Sequence, residues 1–400
     1  MKRTTSGSVR GVVIGSVLAG LMLLAPIAGG RLSARQDATL TLLKELTDAN
    51  AAPGFEGPVR NILRRNWQGL LKDLHTDGLG NLLGTLPGSA ESPRVLVMAH
   101  MDEVGFMVRY IDPNGFVYFH AIGTYIDQTL LTQRYTIMTP RGPVVGYTGM
   151  KSAHIVPAEE RNSMVQMADM FLDIGVKSRD EAEKLGVRPG LPITYRTEFE
   201  VLNAGTNRYL AKAFDDRVGC AIITQALQQL QTLPHPNLVQ VAATVQEELG
   251  SRGASVIYNA FKPDIVINLE IGIAGDFPLR TSPKLSQEGL GKGATVFIFQ
   301  GDMIPNNKYV EWVTQLAKAE SIPIQYSAIS TYGQDGSVLQ KSGTGIPSIN
   351  IGVPTRYGHS ESGVIDRADY DTALKLVVKM IQRLSASEVK AITEFSTPTP

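Results

Sequence analysis

Apolar runs of strand length alternate along this chain with segments of helical hydrophobic period. The runs at 95–99, 238–245, 265–269 and 347–353 are rich in apolar residues, as strands covered on both faces are. Between them, Ile223, Leu227 and Leu230 recur at i, i+4 and i+7, and a second apolar face lies at 373–384. Buried strands that alternate with helices predict an α/β fold with a mixed, largely parallel sheet flanked by helices.

Residues 107–208 have a different pattern. Short apolar stretches at 108–111, 116–119 and 135–138 are separated by turn signals such as Asp112-Pro-Asn-Gly115. We therefore predict a small β-rich domain at 107–208, inserted between the two parts of the α/β domain at 35–106 and 209–388. The Pro- and Thr-containing end of the chain predicts a disordered tail at 389–400.

The first long apolar run ends in three polar side chains, His100, Asp102 and Glu103. Ligands bind at the carboxyl ends of the strands in open α/β sheets. His100 can bind a metal through one ring nitrogen while Asp102 holds the other ring N–H. A histidine that caps a turn explains this motif equally well when it is considered alone, so the rest of the chain decides.

Pairs of acidic residues stand at two further element ends. Asp215 and Asp216 precede the first helical segment; acidic residues often cap helices, but one carboxylate can also bridge two cations. Glu247 and Glu248 follow the run at 238–245. They form either a solvated loop or a functional pair, in which one binds metal and the other accepts a proton from the attacking water.

Five candidate ligands thus follow an apolar run or open a helix, and a parallel sheet would bring them to one edge: His100, Asp215, Glu248, Glu270 and His359. Two imidazoles and three carboxylates form a hard set of nitrogen and oxygen donors without a thiolate. Such a set suits Zn²⁺, with Co²⁺ or Mn²⁺ as alternatives. Chance explains one such motif but not five on consecutive elements, so the sequence predicts a metal centre.

The motifs around these residues resemble those of the two-metal aminopeptidases that include the tetrahedral, glutamyl and deblocking enzymes (family-forty-two metallopeptidases). They are AHMDEVGFMV, AKAFDDRVGC, VQEELGSRGA, GIAGDFP and GIPSINIGVPTRYGHS. The resemblance extends from about residue 38 to about residue 384 and includes the APGFEG segment. It implies a two-metal exopeptidase fold, in which the inserted domain mediates dimerisation.

The resemblance assigns each candidate ligand to one of two divalent ions. It implies that His100 and Glu270 hold the first ion. Glu248 and His359 would hold the second, and Asp215 would bridge both. Glu270 stands where aspartate is common in the family, which lengthens the arm of the ligand but keeps its charge.

The same resemblance implies the roles of the neighbouring residues. Asp102 would orient His100, and Glu247 would serve as general base and acid. The peptide bond between residues 215 and 216 would be cis. The Ser-Glu-Ser segment at 360–362 stands where a Ser-Pro pair is common, so we expect a differently shaped loop there. Asp335 lies in a glycine-containing segment that turn chemistry explains without a function.

The activity implied by the resemblance is that of a metal-dependent aminopeptidase, which removes N-terminal residues from peptides in a homo-oligomer of two to twelve subunits. A related two-metal deacylase or carboxypeptidase would share this chemistry and differ in its pocket. A non-catalytic binding protein on the same fold is the alternative from another class. Substrates with free and acylated amino groups discriminate between these functions.

The amino-terminal segment indicates export. Lys2, Arg3 and Arg10 precede an uncharged apolar run at 11–30, and Ala28-Gly-Gly30 offers a cleavage site. We expect a signal peptide or membrane anchor at 1–34, a periplasmic or extracellular location, and membrane contact only through this segment. The 38 basic and 38 acidic residues balance, so the charge indicates no nucleic-acid partner.

Overall fold

The structure is a computed structural model that describes residues 37–278 and 286–395. Its α-helices are α1 (Ala38–Asp48), α2 (Gly57–Trp67), α3 (Arg179–Lys184), α4 (Phe214–Leu230), α5 (Ala254–Phe261), α6 (Asn307–Ala319), α7 (Asp335–Gln340), α8 (Arg367–Arg383) and α9 (Ala386–Thr393). Its strands are β1 (Lys72–Thr76), β2 (Leu82–Leu86), β3 (Arg94–His100), β4 (Gly105–Ile111), β5 (Val117–Ile122), β6 (Arg134–Thr139), β7 (Gly142–Tyr147), β8 (Pro192–Tyr195), β9 (Glu200–Val201), β10 (Arg208–Ala211), β11 (Leu238–Thr244), β12 (Ile265–Ile273), β13 (Ala294–Gln300), β14 (Ile324–Ile329), β15 (Ser348–Arg356) and β16 (Gly363–Asp366).

Four strands that are parallel to one another form the centre of the larger sheet. They lie side by side in the order β11, β3, β12 and β15. β2 and β1 extend the sheet beyond β11, whereas β16, β10 and β9 extend it beyond β15, all with antiparallel pairing. β13 also pairs with β15 and holds β14. The sheet is mixed with a parallel centre, which confirms the predicted fold class.

The side chains of β3 alternate between two hydrophobic cores. Val95, Val97 and Ala99 belong to the main core, to which α1, α2, α4, α6, α8 and α9 contribute. Leu96 and Met98 belong to a smaller core shared with α5 and α7. Successive side chains of a strand point to opposite faces, so a strand covered on both faces has to be apolar throughout. This two-sided burial explains the continuous apolar runs in the sequence.

The order of the central strands creates a crevice at one edge of the sheet. β3 precedes both of its neighbours in the chain, and β11 and β12 lie on opposite sides of it. The connection that contains α5 therefore crosses β3. In open α/β sheets, ligands bind outside the carboxyl ends of the strands where the chain switches sides in this way.

Strands β4 to β8 form a second, antiparallel sheet. In the sequence they are inserted between β3 and β9, which both belong to the larger sheet. The strands of the second sheet are ordered β5, β4, β8, β6 and β7. Its own core includes Phe106, whose ring centroid lies 5.5 Å from that of Tyr135 and 5.9 Å from that of Tyr195. β9 and β10 already belong to the larger sheet, although the sequence places residues 200–208 in the inserted domain.

The prediction of a disordered tail from residue 389 is wrong at its start. α9 continues to Thr393, because Val389 and Ile392 lie on one helical face and are buried in the main core. Residues 396–400 of that prediction, and the predicted signal peptide or anchor at 1–34, lie outside the described residues. Among the helices that the structure describes, none has both the length and the apolar character needed to cross a membrane.

A buried ion cluster joins the end of β3 to the start of α4. Lys212 Nζ donates to both carboxylate oxygens of Glu103, at 2.6 and 2.7 Å, and Arg217 Nη2 lies 3.4 Å from Glu103 Oε1. The N–H of Ala51 also donates to Glu103 Oε1 at 3.0 Å. All three charged side chains are buried. Glu103 therefore has buried partners in Lys212, Arg217 and the Ala51 N–H. These contacts explain why a charged residue follows a buried strand at this position.

Replacement of Lys212 by methionine should lower the free energy of unfolding by about 3–5 kcal/mol, because it removes the closest partner of a buried carboxylate. Lys44→Met is the matched control: Lys44 pairs with Asp48 at 2.6 Å on an exposed helix face, where such pairs contribute about 0.5 kcal/mol. Urea denaturation followed by circular dichroism measures both changes. Equal losses in the two variants would contradict this role of the buried cluster.

Candidate metal centre

The carboxyl edge of the parallel strands brings the five predicted ligands together. His100 is the last residue of β3, and Asp215 lies in the first turn of α4. Glu248 and His359 lie in the loops that follow β11 and β15. Glu270 lies within β12, which continues to residue 273 instead of ending at the glutamate as the sequence suggests.

Asp215 lies between two pairs of side chains. Its Oδ1 is 3.0 Å from His100 Nε2, which in turn is 3.7 Å from Glu270 Oε1. Its Oδ2 is 3.2 Å from His359 Nε2, which is 3.5 Å from Glu248 Oε1. Each oxygen of one carboxylate thus contacts a different histidine, and each histidine lies near one further acid, an arrangement that would suit a carboxylate shared by two cations.

Both histidines turn the same ring nitrogen toward Asp215. His100 Nδ1 lies 3.2 Å from the backbone carbonyl of Asp102, and His359 Nδ1 lies 2.9 Å from the carbonyl of Thr124. A Nδ1–H that donates to these carbonyls leaves Nε2 free as a ligand atom. Thr124 follows β5, so the smaller sheet contributes one contact to the centre.

The start of α4 separates the two adjacent aspartates. The peptide bond between Asp215 and Asp216 is cis, as the resemblance implies. Asp216 Oδ1 accepts the N–H of Gly219 at 3.0 Å. A Cβ atom at position 219 would lie 2.4 Å from Asp216 Oδ2, so only glycine fits there. Asp216 therefore supports the helix start, while Asp215 faces the two histidines.

Crowded carboxyl groups shift the pKa values at this edge. Burial raises the pKa of Glu248 to about 7, and burial together with Asp215 raises that of Glu270. Burial opposes protonation of His359, but Glu248 and Asp215 outweigh it and raise its pKa to about 10. The pKa of His100 is raised in the same way, against burial, by Glu270, Asp102 and Asp215. Buried acids of this density require compensating positive charge.

The donor set fits divalent metal ions. Two groups of three residues place their ligand atoms within 4.8 Å of one another: His100 with Asp216 and Glu270, and His100 with Asp215 and Glu248. Asp216 in the first group was not predicted as a ligand. Glu248 Oε1 and Asp216 Oδ2 are buried without a hydrogen-bond partner in the described part of the chain. A cation would satisfy these oxygens and neutralise the crowded carboxylates.

Side chains from three distant segments hold the turn that carries Glu247 and Glu248. The N–H groups of both glutamates donate to Asp102, one to each carboxylate oxygen, at 3.1 Å. The preceding N–H groups, at 245 and 246, donate to Asn81 Oδ1 at 3.0 Å and to Glu56 Oε1 at 3.2 Å. Four successive backbone donors therefore have side-chain acceptors, which places the two glutamates.

Asp102 has a broader contact set than the sequence predicted. Asp102 Oδ1 lies 3.5 Å from His100 Nδ1, whereas the backbone carbonyl oxygen of Asp102 lies 3.2 Å from the same nitrogen. Both carboxylate oxygens of Asp102 instead accept N–H groups of Glu247 and Glu248. The sequence did not predict that Glu56 and Asn81 support that turn, although Glu56 lies in the APGFEG segment. Only the three-dimensional fold brings them to residues 245 and 246.

A buried carboxyl group, Asp335, stands behind Glu247. Ser251 Oγ donates to Glu247 Oε1 at 3.2 Å, and Thr244 Oγ1 donates to Asp335 Oδ2 at 2.6 Å. Burial raises the pKa of Asp335 to about 6, and burial and Asp335 both raise that of Glu247. Turn chemistry alone, which the sequence suggested for Asp335, does not account for this buried position.

A cleft of about 820 Å³ opens over the centre. Its floor includes Asp215, Glu247, Glu248, Glu270 and His359. The described walls include Ile273, Phe277, Ile329, Val338 and Tyr357, and one ion pair, Lys341 with Asp302 at 2.9 Å. Arg356 does not contact the candidate ligands: it pairs with Asp276 at 2.7 Å.

Comparisons with known proteins agree with the motifs. The family model described as M42 glutamyl aminopeptidase matches residues 80–376, and a second model, described as AMPT, matches residues 37–63. The glutamyl aminopeptidase of Lactococcus lactis is 31% identical over 360 residues, which cover 88% of this chain and 98% of the relative.

Solved structures match with the same coverage. The TET aminopeptidase from the marine sediment archaeon Thaumarchaeota archaeon SCGC AB-539-E09 has a TM-score of 0.86 and 37% identity, and the match covers 89% of this chain and 99% of that one. The TET1 peptidase of Pyrococcus horikoshii, which can assemble into a tetrahedron or a large octahedral shell, has a TM-score of 0.79 and 28% identity. That match covers 87% of this chain and 100% of the peptidase.

Binding of Zn²⁺ to this centre should release protons. At about pH 8 the pKa of His359, which is raised to about 10, keeps this histidine protonated without metal, whereas a nitrogen ligand must be neutral. Calorimetric titration of metal-free protein in two buffers of different ionisation enthalpy should show release of about one proton or more, and less for His359→Ala. The exposed His75→Ala serves as control and should match the unmodified protein. Heats that do not depend on the buffer would contradict this prediction.

Proposed function

The chain belongs to the M42 glutamyl aminopeptidase family and acts as a metal-dependent aminopeptidase, and we propose that it works with two divalent ions at the sheet edge. The observation that carries this proposal is the position of Asp215, whose two oxygens contact two different histidines, each of which lies near a further acid. His100 and Glu270 would hold one ion, and Glu248 and His359 would hold the other. Zn²⁺ suits this donor set best.

When bound, the ions supply Lewis acidity, which makes a water molecule nucleophilic near neutral pH and polarises the scissile carbonyl. Glu247 lines the same cleft and would take the proton of that water and return it to the leaving amine. Its raised pKa suits both steps. Ser251 orients its carboxyl group, and Asp102 fixes its backbone.

The walls of the cleft support a preference for apolar N-terminal residues. In the described part of the cleft, Lys341 is the basic wall residue, and it is paired with Asp302. Substrates with an acidic first residue would need an unpaired cation, whereas Ile273, Phe277 and Ile329 offer apolar contacts. We therefore propose that leucyl or similar substrates are preferred over glutamyl substrates.

The smaller sheet supports assembly into a homo-oligomer. Large apolar side chains are exposed on it and on its connecting loops, with Ile126 at 63%, Met150 at 58% and Ile155 at 73% relative exposure. Exposed apolar residues in such number support the presence of an interaction surface here. We propose that copies of this chain associate through it, as the TET1 peptidase of Pyrococcus horikoshii assembles. A monomer in native mass spectrometry would contradict this proposal.

The activity is tested with matched leucyl, glutamyl and N-acetyl-leucyl anilides and protein loaded with Zn²⁺, Co²⁺ or Mn²⁺. We expect metal-dependent cleavage of the free-amine substrates only, because the free amino group is needed at the centre. Glu247→Gln should lower kcat by about 10²–10⁴-fold, the usual contribution of a general base, and should retain its metal. Metal content is measured in parallel.

Each alternative has a distinct outcome in this assay. Cleavage of the acetylated anilide would favour a deacylase or an endopeptidase. Bound metal without turnover of any substrate would favour a binding protein on the same fold. Unchanged kcat in Glu247→Gln would contradict the role of this residue and leave the aminopeptidase activity intact.

A further inference from the structure

Gln334 is a buried polar residue of the cleft to which the mechanism above gives no role. We propose that its side-chain amide binds the main chain of the substrate residue that follows the scissile bond. This inference rests on the proposed function, since it assigns a peptide to the cleft. It makes Gln334 a determinant of selectivity for peptides over other amine-containing amides.

The side-chain amide of Gln334 is buried without a well-formed hydrogen bond to the residues that the structure describes. The residue is 1% exposed, yet in the described part of the chain neither Oε1 nor Nε2 makes a hydrogen bond of normal geometry, and its contact with the Tyr332 hydroxyl group falls short of one. It occupies the N-cap position of α7, but its side chain makes no capping hydrogen bond. Burial of an amide without partners is unfavourable, so a ligand that supplies both a donor and an acceptor would be stabilised there.

Gln334 lines the cleft together with the candidate ligands. The cleft residues Glu247, Glu270 and His359 share this cavity with it. Gln334 lies close to the hydroxyl group of Tyr332, which itself donates to Glu270 Oε2 at 3.3 Å. Gln334 is therefore placed beside the reacting centre, without being among the candidate metal ligands.

The neighbouring residues show which part of a substrate the amide would meet. The next residue, Asp335, accepts from Thr244 at the end of β11 and lies near Ser251, which donates to Glu247. The segment that carries Gln334 thus packs against the turn that carries Glu247. Because Glu247 would return its proton to the leaving amine, the residue after the scissile bond would lie near this turn.

A carboxamide matches the main chain of one extended residue. It presents an acceptor and a donor next to each other. The N–H and C=O of a single residue in a strand also point to the same side, as in antiparallel pairs where two residues exchange both bonds. A peptide offers both groups after the scissile bond. An aminoacyl anilide offers the scissile N–H but no carbonyl beyond it.

The test compares a leucyl tripeptide, Leu-Ala-Ala, with leucyl 4-nitroanilide on the metal-loaded full-length protein. Gln334→Met removes both polar atoms and nearly keeps the side-chain length. We expect kcat/KM for the tripeptide to fall about 10–100-fold, because this substrate would lose its hydrogen bonds to the amide. For the anilide, which has no second carbonyl, kcat/KM should change less than about threefold. Gln334→Glu, which keeps acceptor oxygens but loses the donor, should show an intermediate loss for the tripeptide.

Gln240→Met is the control for loss of a buried glutamine. Gln240 is not among the residues that line the cleft, and its Nε2 donates to the backbone carbonyl of Phe261. This variant should leave the ratio of the two kcat/KM values unchanged. Equal losses for tripeptide and anilide in Gln334→Met, or no loss for either, would overturn the proposal. Failure of the unmodified protein to cleave either substrate would overturn the proposed function itself and this inference with it.

Discussion

The accumulation of carboxylates around Asp215 at a buried edge of the sheet is the constraint on which the rest of the structure depends. Each oxygen of Asp215 contacts one imidazole, and each imidazole lies within 3.7 Å of one further acid. Without positive charge, burial raises the pKa of Glu270 and that of Glu248, which are proposed as ligands. The folded chain therefore presents an arrangement that two divalent cations would satisfy.

The surrounding scaffold keeps these acids in place through backbone and side-chain contacts from distant segments. Asp102, Glu56 and Asn81 together accept the four N–H groups of the turn at 245–248. The smaller sheet also takes part, because Thr124 accepts from the ring of His359. The parallel strands thus supply the edge, and contacts from loops and from the second sheet orient the residues on it.

The sequence predicted what depends on local pattern and missed what depends on tertiary contact. The continuous apolar runs indicated the parallel centre, since two-sided burial removes polar alternation. The polar residues after those runs, such as His100 and Glu248, pointed to one edge of the sheet. Only the three-dimensional structure shows that Asn81 reaches residue 245. It also shows that the buried amide of Gln334 makes no well-formed hydrogen bond within the described residues. The end of α9 was missed because two apolar positions carry little periodic signal.

Anomalous diffraction from crystals of the protein loaded with Zn²⁺ tests the central claim most directly. A two-metal centre predicts two peaks on either side of Asp215, one near His100 and Glu270 and the other near Glu248 and His359. Metal–ligand distances of about 2.0–2.2 Å are expected. A peak elsewhere in the fold, or a single peak that leaves one of these pairs without metal at saturating Zn²⁺, would contradict a two-metal centre.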